Sequence, residues 1–325
     1  MLPMSLTKSK LVLLASIFIS SSVFAQDDLM DILDDVEPQQ EETIDYTIAT
    51  FKTTRLVIGQ SVETNAEGVL NVLIGHRFGR VNGSVKEFFG LDNATIRLGV
   101  EYGITDNLNI GFGRSSFEKT YDGFLKYRVL RQSTGKRKIP LTMTLFASMA
   151  IKSQEFADNN RENYFTSRMY YAFQIMLARK FSERLSFQLT PTMIHRNLVA
   201  TKADKNDVFA VGAGGRVKVS GSVSINAEYN FIIPGQITST IGGQKVRDSF
   251  ALGVDIETGG HVFQVHVTNS RGILEKMIIS ETNGDITKGD IHIGFNISRV
   301  FTVYDKHKKR KKREEKRAAK ALEQG

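Results

Sequence analysis

Residues 93–103 read NATIRLGVEYG, and this stretch decides the fold class. The residues of one face are Ala94, Ile96, Leu98, Val100 and Tyr102, and those of the other are Asn93, Thr95, Arg97, Gly99 and Glu101. Successive side chains of a strand point to opposite faces, whereas an amphipathic helix repeats every 3.6 residues. The stretch therefore predicts a strand with one apolar and one polar face.

The same alternation recurs along most of the chain. It predicts twelve strands, near 69–78, 93–103, 107–116, 120–131, 140–152, 165–180, 184–196, 207–219, 222–232, 247–257, 261–269 and 290–303. Strands of about 9–11 residues suffice to cross a bilayer at a tilt, and bacterial single-chain barrels have an even number of them. We predict an all-β protein, a single closed antiparallel transmembrane β-barrel.

Two further stretches leave the strand number open. Residues 53–60 (TTRLVIGQ) are strand-like, and residues 276–280 could also span, which would raise the number to fourteen. The connections alternate between tight turns and longer polar loops, the latter near 153–164, 197–206, 232–247 and 270–289. That alternation indicates short periplasmic turns and longer extracellular loops.

The first residues are typical of an export signal. Lys8 and Lys10 precede an apolar run over 11–19, and small residues then lead to Ala25. This pattern predicts a signal peptide, residues 1–25, cleaved after Ala25. We therefore expect the protein in the outer membrane of a Gram-negative bacterium.

The two ends of the exported chain are expected to flank the barrel domain, residues 46–304. Residues 26–45 carry nine acids and no base, and form an acidic periplasmic leader that is either disordered or one short helix. Residues 305–325 form a basic periplasmic tail, with ten Lys or Arg and three Glu over 306–325. The expected partners are outer-membrane lipid and, through 306–325, a periplasmic protein or anionic surface, but no nucleic acid. The two ends should also attract each other weakly and in a salt-dependent way.

The polar faces of the predicted strands hold a set of charges that should face the lumen. They are Arg77, Arg97, Glu101, Asp122, Lys126, Arg128, Arg168, Arg216, Lys218, Glu228, Asp255 and Glu257. The set predicts either a pore lining that favours anions or a network that neutralises itself and fills the barrel. The seven bases and five acids of this set do not decide between the anion-favouring pore and the self-neutralising network.

The sequence contains no zinc, catalytic-triad or nucleotide-binding motif. His266 and His292 should face the lumen on adjacent strands, but no third ligand or nucleophile stands at a fitting spacing. Glycines within residues 212–215 lie inside a predicted strand and indicate tight packing. We therefore expect no cofactor, no metal and no enzymatic activity.

Three runs carry a family resemblance: TRLVIGQSVET from Thr54, GHRFGRVNGSVKEFFGLDNATIRLGVEYGITDNLNIGFGRS from Gly75, and KTYDGFLKYRVLRQSTG from Lys119. They resemble an uncharacterised outer-membrane β-barrel family of the Bacteroidetes, a domain of unknown function, over roughly 46–303. The resemblance implies a single-chain barrel, and it brings no substrate, cofactor or catalytic residue.

Two functions fit these features. A twelve-stranded barrel is wider than the filled eight-stranded kind and narrower than the open porins. The first prediction is a passive or weakly selective channel for small solutes. The alternative is a plugged structural barrel that anchors a periplasmic partner through its charged termini. The choice depends on whether residues 46–66 and bulky side chains block the lumen.

Overall fold

The computed structural model describes residues 43–83, 85–156 and 162–305, and in it twelve antiparallel strands form one closed barrel. The strands are β1 Val69–Arg80, β2 Ala94–Gly103, β3 Leu108–Ser115, β4 Thr120–Leu130, β5 Thr142–Lys152, β6 Met169–Lys180, β7 Leu185–Arg196, β8 Asp207–Lys218, β9 Val223–Ile232, β10 Ser249–Thr258, β11 His261–Thr268 and β12 His292–Thr302. Each strand pairs with its neighbours in sequence, and β12 closes the barrel on β1 with Ile297 opposite Ile74. The predicted fold class is confirmed.

The strand boundaries follow the alternation closely, with β6 as the largest departure. It begins at Met169 because Phe165–Arg168 form a 3-10 turn. The fourteen-strand alternative is wrong, since neither 53–60 nor 276–280 enters the barrel wall. The described residues contain no helix long and apolar enough to cross a membrane.

The two faces of the wall differ as the alternation requires. On β2, Leu98 is 58% exposed on the outer face, while Arg97 and Glu101 are 1% exposed on the inner face. Large apolar side chains such as Phe112 cover the outside of the neighbouring strand in the same way. An apolar outer band around a polar interior is the pattern of a barrel in lipid.

The connections define two ends of the barrel. The turn end carries 104–107, 131–141, 181–184, 219–222 and 259–260. The loop end carries 116–119, 197–206, 233–248 and 269–291, together with the described parts of two further connections, 81–83 with 85–93 and 153–156 with 162–168. Two connections depart from the expected short and long pattern. Residues 116–119 are short although they lie at the loop end. Residues 131–141 are long although they lie at the turn end, and within them Ser133–Gly135 pairs with Ile44–Tyr46.

The core of the molecule lies inside the barrel. From the turn end, residues 50–66 enter the lumen as a segment that we call the plug hairpin. From the loop end, residues 269–291 fold inward as a segment that we call the inner loop, which contains the helix α1, Glu275–Ser280. Both segments are largely buried, so a barrel of this width is filled by its own chain.

Candidate functional site, a filled lumen

The plug hairpin is a tight two-stranded turn. Arg55 and Gln60 form an antiparallel bridge, and the Leu56 N–H donates to the Gly59 carbonyl at 3.0 Å. All of residues 53–62 are buried. A buried backbone must find partners for its N–H and C=O groups, and a short hairpin pairs only a few of its own. The barrel wall has to supply the rest.

One acid of the wall binds the tip of the hairpin. Glu228 Oε2 accepts hydrogen bonds from three consecutive backbone N–H groups, those of Val57 at 3.3 Å, Ile58 at 3.1 Å and Gly59 at 3.0 Å. Three N–H groups that converge on one oxygen form a cradle for an anion. Glu228 therefore stabilises the tip by charge-assisted hydrogen bonds, which are stronger than neutral ones.

One base of the wall binds the two arms of the hairpin. Lys126 is fully buried, and its Nζ donates to the carbonyls of Thr54 at 3.2 Å, Ser61 at 3.2 Å and Glu63 at 3.4 Å. An ammonium has three donors and no acceptor. Lys126 thus binds the carbonyls of the arms, whereas Glu228 binds the N–H groups of the tip. Both residues were among the predicted lumen charges.

Neutral side chains of the wall bind further backbone groups of the hairpin. Gln188 Oε1 accepts from the Val62 N–H at 2.9 Å, and Gln188 Nε2 donates to the Gln60 carbonyl at 2.8 Å. Asn296 Nδ2 donates to the Val57 carbonyl at 2.9 Å. Because these partners come from strands on opposite sides of the barrel, the hairpin is held from several directions.

The inner loop meets the hairpin inside the lumen. Glu275, at the start of α1, accepts from Gln60 Nε2 at 2.9 Å and from Arg55 Nη1 at 3.4 Å. Behind it, Lys276 lies 3.6 Å from Glu118 and also pairs with Glu281. The two inserted segments therefore contact each other as well as the wall.

Apolar packing fills the space between these polar contacts. Val57 and Ile58 pack with Ile278 and Ile279 of the inner loop. The wall contributes small or branched residues to this cluster, namely Ala172, Ile194, Val208, Ala210 and Ala251. The cavity left between hairpin, α1 and wall measures about 10 Å³, roughly the room of one water molecule.

The structure places the twelve predicted lumen charges in three kinds of surroundings. Nine are buried inside the barrel: Arg77, Arg97, Glu101, Asp122, Lys126, Arg128, Arg216, Glu228 and Asp255. Lys218 is the last residue of β8 and Glu257 the second-last of β10, so both lie at the turn end, where Glu257 pairs with Lys52 of the hairpin. Arg168 departs from the prediction, because it sits in the turn before β6 and its Nη1 donates to the Lys152 carbonyl at 3.2 Å.

Arg97 and Asp122 form a buried ion pair in the wall. Arg97 Nε lies 2.9 Å from Asp122 Oδ1, and the two side chains are 1% and 5% exposed. A buried pair of this kind is costly to break, since the surviving partner stays buried and uncompensated. Unlike Lys126 and Glu228, this pair joins strands of the wall to each other.

The two lumen histidines have separate surroundings. His266 is buried on the inner face of β11. His292 Nδ1 lies 2.8 Å from the Phe78 carbonyl. In the described part of the chain, no group of three or more His, Asp or Glu side chains is arranged to hold a metal ion.

Asp204 joins two connections at the loop end. Its Oδ1 accepts from the Thr238 N–H at 2.7 Å and from the Ser239 N–H at 3.0 Å. Burial alone favours the protonated carboxyl, but these donors outweigh it and hold the pKa of Asp204 well below its usual range. The carboxylate therefore ties residues 197–206 to residues 233–248.

Sequence reasoning missed the plug hairpin as a binding partner of the wall. Its residues looked strand-like, and the acceptors and donors that Glu228 and Lys126 use are backbone groups, which leave no mark in a sequence. One signal was present, a glycine at position 59 in an otherwise bulky run.

These features define a closed β-barrel filled by two segments of its own chain. The chain belongs to the family described as "Membrane bound beta barrel domain (DUF5777)", whose model matches residues 51–301. The matched region includes most of the plug hairpin. The Bacteroidetes origin implied by the resemblance stays a prediction.

A search of curated proteins found no match. Similar solved structures include the NanC porin, at 10% identity and a TM-score of 0.45, covering 71% of this chain and 98% of that chain. They also include Omp33 of Acinetobacter baumannii, at 8% identity and a TM-score of 0.39, covering 73% of this chain and 100% of that chain. A third is outer membrane phospholipase A of Escherichia coli, at 11% identity and a TM-score of 0.40, covering 72% of this chain and 93% of that chain. With TM-scores below 0.5, these likenesses do not bear on what this chain does.

Proposed function

We propose that this protein is an outer-membrane β-barrel that is closed to passive solute flow and anchors a periplasmic partner through its charged termini. The observation that carries the proposal is the filled lumen, in which Glu228 and Lys126 bind the backbone of the plug hairpin. A passive channel requires an open lumen, and so it would require this hairpin to leave. Two of the buried charges that could have lined a pore, Glu228 and Lys126, bind the plug instead.

The position of the chain ends supports the anchoring role. Ile44–Tyr46 pairs with the 131–141 connection, and the Val303 and Tyr304 N–H groups donate to the Gly68 carbonyl. Both ends of the described barrel therefore lie at the turn end, which we assign to the periplasm. The acidic leader and the basic tail, expected at 26–45 and 305–325, would follow from there; residues 1–42 and 306–325 lie outside the described residues.

The proposal includes no catalytic role. In the described lumen, the acid and the base with the most converging contacts bind main-chain groups of the protein itself. Neither Glu228 nor Lys126 is free to take or give a proton to a substrate while the hairpin is in place.

Planar-bilayer recordings test the closed state. We expect the native protein to insert without conductance steps, and the double variant E228Q/K126Q to show them, because its plug has lost both charged anchors. Steady ohmic steps from the native protein would contradict the proposal. The variant also serves as the insertion control, since it shows that the preparation reaches the bilayer.

The anchoring role has a separate test. An epitope after residue 325 should be reached by antibody only once the outer membrane is permeabilised, whereas one inserted at 242 should be reached in intact cells. Affinity capture from the periplasm should then recover a partner that is lost on deletion of 306–325. Surface exposure of the tail in intact cells would rule the anchoring role out.

A further inference from the structure

The positive charge of the turn end is concentrated in one connection, residues 131–141, RQSTGKRKIPL. It contains four bases and no acid, whereas the other four connections of the turn end together contain one base and two acids. Lys136, Arg137 and Lys138 are consecutive and exposed. Among the described residues, no ion pair reaches any of these three side chains. We call residues 136–138 the basic turn.

The carboxylates on the neighbouring segments do not cancel the charge of the basic turn. Glu183 pairs with Lys180, whose Nζ lies 2.9 Å from both of its carboxylate oxygens. Asp106, on another turn, accepts the Glu67 N–H at 3.0 Å. Asp45 lies on the strand that pairs with the 131–141 connection, and it offsets at most one of the three bases. A net positive charge therefore remains exposed at the basic turn.

The same connection holds the stretch of chain that leads into the plug hairpin. Ile44–Tyr46 pairs antiparallel with Ser133–Gly135, and Ile44 is opposite Gly135. Arg131, the fourth base of the connection, contacts the other end of this short ladder, where its Nε donates to the Thr47 carbonyl at 3.3 Å. Followed towards the N-terminus, the chain therefore leaves the plug, passes along the ladder and ends the pairing beside the basic turn.

The acidic leader continues directly from this ladder. Residues 26–42 carry eight acids and no base, and Glu41 and Glu42 precede Ile44 by only three and two residues. An extended residue spans at most about 3.6 Å, so these two carboxylates stay within reach of the basic turn. The basic tail starts farther from the leader, because it follows β12, which β1, β2 and β3 separate from β4. The tether therefore favours the basic turn over the tail as the binding site of the leader.

We infer that residues 26–42 of the acidic leader bind the basic turn through ion pairs. A single exposed ion pair is weak and is screened by salt, but several pairs on one tethered segment act together. The bound leader also fastens the start of the plug hairpin, because residues 44–48 connect the two. This inference holds whether or not the barrel conducts and whether or not it anchors a partner.

Carbodiimide crosslinking of the mature protein in an uncharged detergent tests the contact, because the reagent joins a carboxylate to an amine only where the two meet. At low salt we expect peptides that link an acid of residues 26–42 to Lys136 or Lys138. Their yield should fall about fivefold in R137E, which keeps both reporter lysines. The control R184E reverses an exposed charge on another turn and should leave the yield unchanged. Leader acids linked to lysines of the tail, and not to the basic turn, would overturn the inference.

Hydrogen exchange measures the fastening of the plug from both sides of the contact. We expect the peptide 43–49 to exchange about fivefold faster in K136Q/R137Q/K138Q than in the native protein, and E41Q/E42Q to have a similar effect. Native exchange rates in both variants would overturn the fastening.

Anionic lipid headgroups are the competing occupant of the basic turn. The crosslinking is therefore repeated in nanodiscs that contain an anionic phospholipid. Links from the leader to Lys136 or Lys138 that persist there support the inference. Loss of these links in the nanodiscs would show that headgroups displace the leader, and the inference would fail.

Discussion

Gly59 has no side chain at the point where the carboxylate of Glu228 sits. A Cβ at position 59 would lie 2.4 Å from Glu228 Oε1, closer than any van der Waals contact allows. The same carboxylate accepts the Gly59 N–H at 3.0 Å. The glycine and the acid thus define one contact, in which the backbone of the plug approaches a charge on the barrel wall.

This contact predicts the effect of G59A. The new methyl group should push the Glu228 carboxylate away and weaken its hydrogen bonds to the hairpin tip. We expect the free energy of unfolding in detergent, measured by urea titration, to fall by about 1–3 kcal/mol. Gly221 provides the control, since a Cβ there meets nothing within 4 Å. Equal stability of G59A and G221A would show that the contact contributes nothing.

A second glycine makes room for the hairpin. A Cβ at Gly214 on β8 would lie 2.0 Å from Leu56 Cδ2. We expect G214A to destabilise the folded barrel by about 1–3 kcal/mol through overpacking, and L56A/G214A to recover part of that loss. The measurement is a double-mutant cycle by urea unfolding. G215A is the matched control, because its Cβ would have only ordinary contacts; strict additivity of L56A and G214A would argue against packing between them.

The Arg97–Asp122 pair predicts a different kind of loss. R97M strands the buried Asp122 carboxylate and should lower the free energy of unfolding by about 3–5 kcal/mol. R97M/D122L removes both charges and should be markedly more stable than R97M. The control K136M removes an exposed charge in the 131–141 connection and should change stability by less than about 0.5 kcal/mol. A double variant no better than R97M would mean that packing, and not the stranded charge, sets the cost.

Asp204 predicts a pH dependence at the loop end. Because its folded pKa is depressed, its contribution to stability is present above the unfolded value of about 3.9 and is lost as pH falls through the folded pKa. D204N should therefore speed amide exchange of Thr238 and Ser239 at pH 7. The difference from the native protein should shrink below pH of about 4. If the exchange rates of D204N and the native protein differ by the same factor at all pH values, the ionisation of Asp204 is excluded as the cause.

The sequence was sufficient to predict the wall of the barrel. On β2, for example, successive side chains face alternately the apolar outside of the barrel and its polar interior, and this contrast imposes the period of two. Arg97, Glu101, Lys126 and Glu228 could be assigned to the interior for the same reason. Their inward position can be predicted from the alternation of apolar and polar residues in the surrounding sequence.

The contents of the lumen could not be predicted in the same way. The plug hairpin is buried on all sides, so its side chains show no contrast between two faces. Its partners are distant in sequence, as Glu228 is from Gly59, and they bind backbone groups that every residue has. The helix α1 is only six residues long, too short to show a helical period in the sequence.

The central claim is that residues 50–66 occupy the lumen, and thiol labelling tests it most directly. The chain contains no cysteine, so I58C and I48C each introduce a single reporter. Ile58 is 1% exposed at the hairpin tip, whereas Ile48, two residues before the hairpin begins, is 71% exposed. In the folded protein, a charged maleimide should label I48C rapidly and leave I58C unlabelled until the barrel is unfolded. Rapid labelling of I58C in the folded barrel would contradict the account.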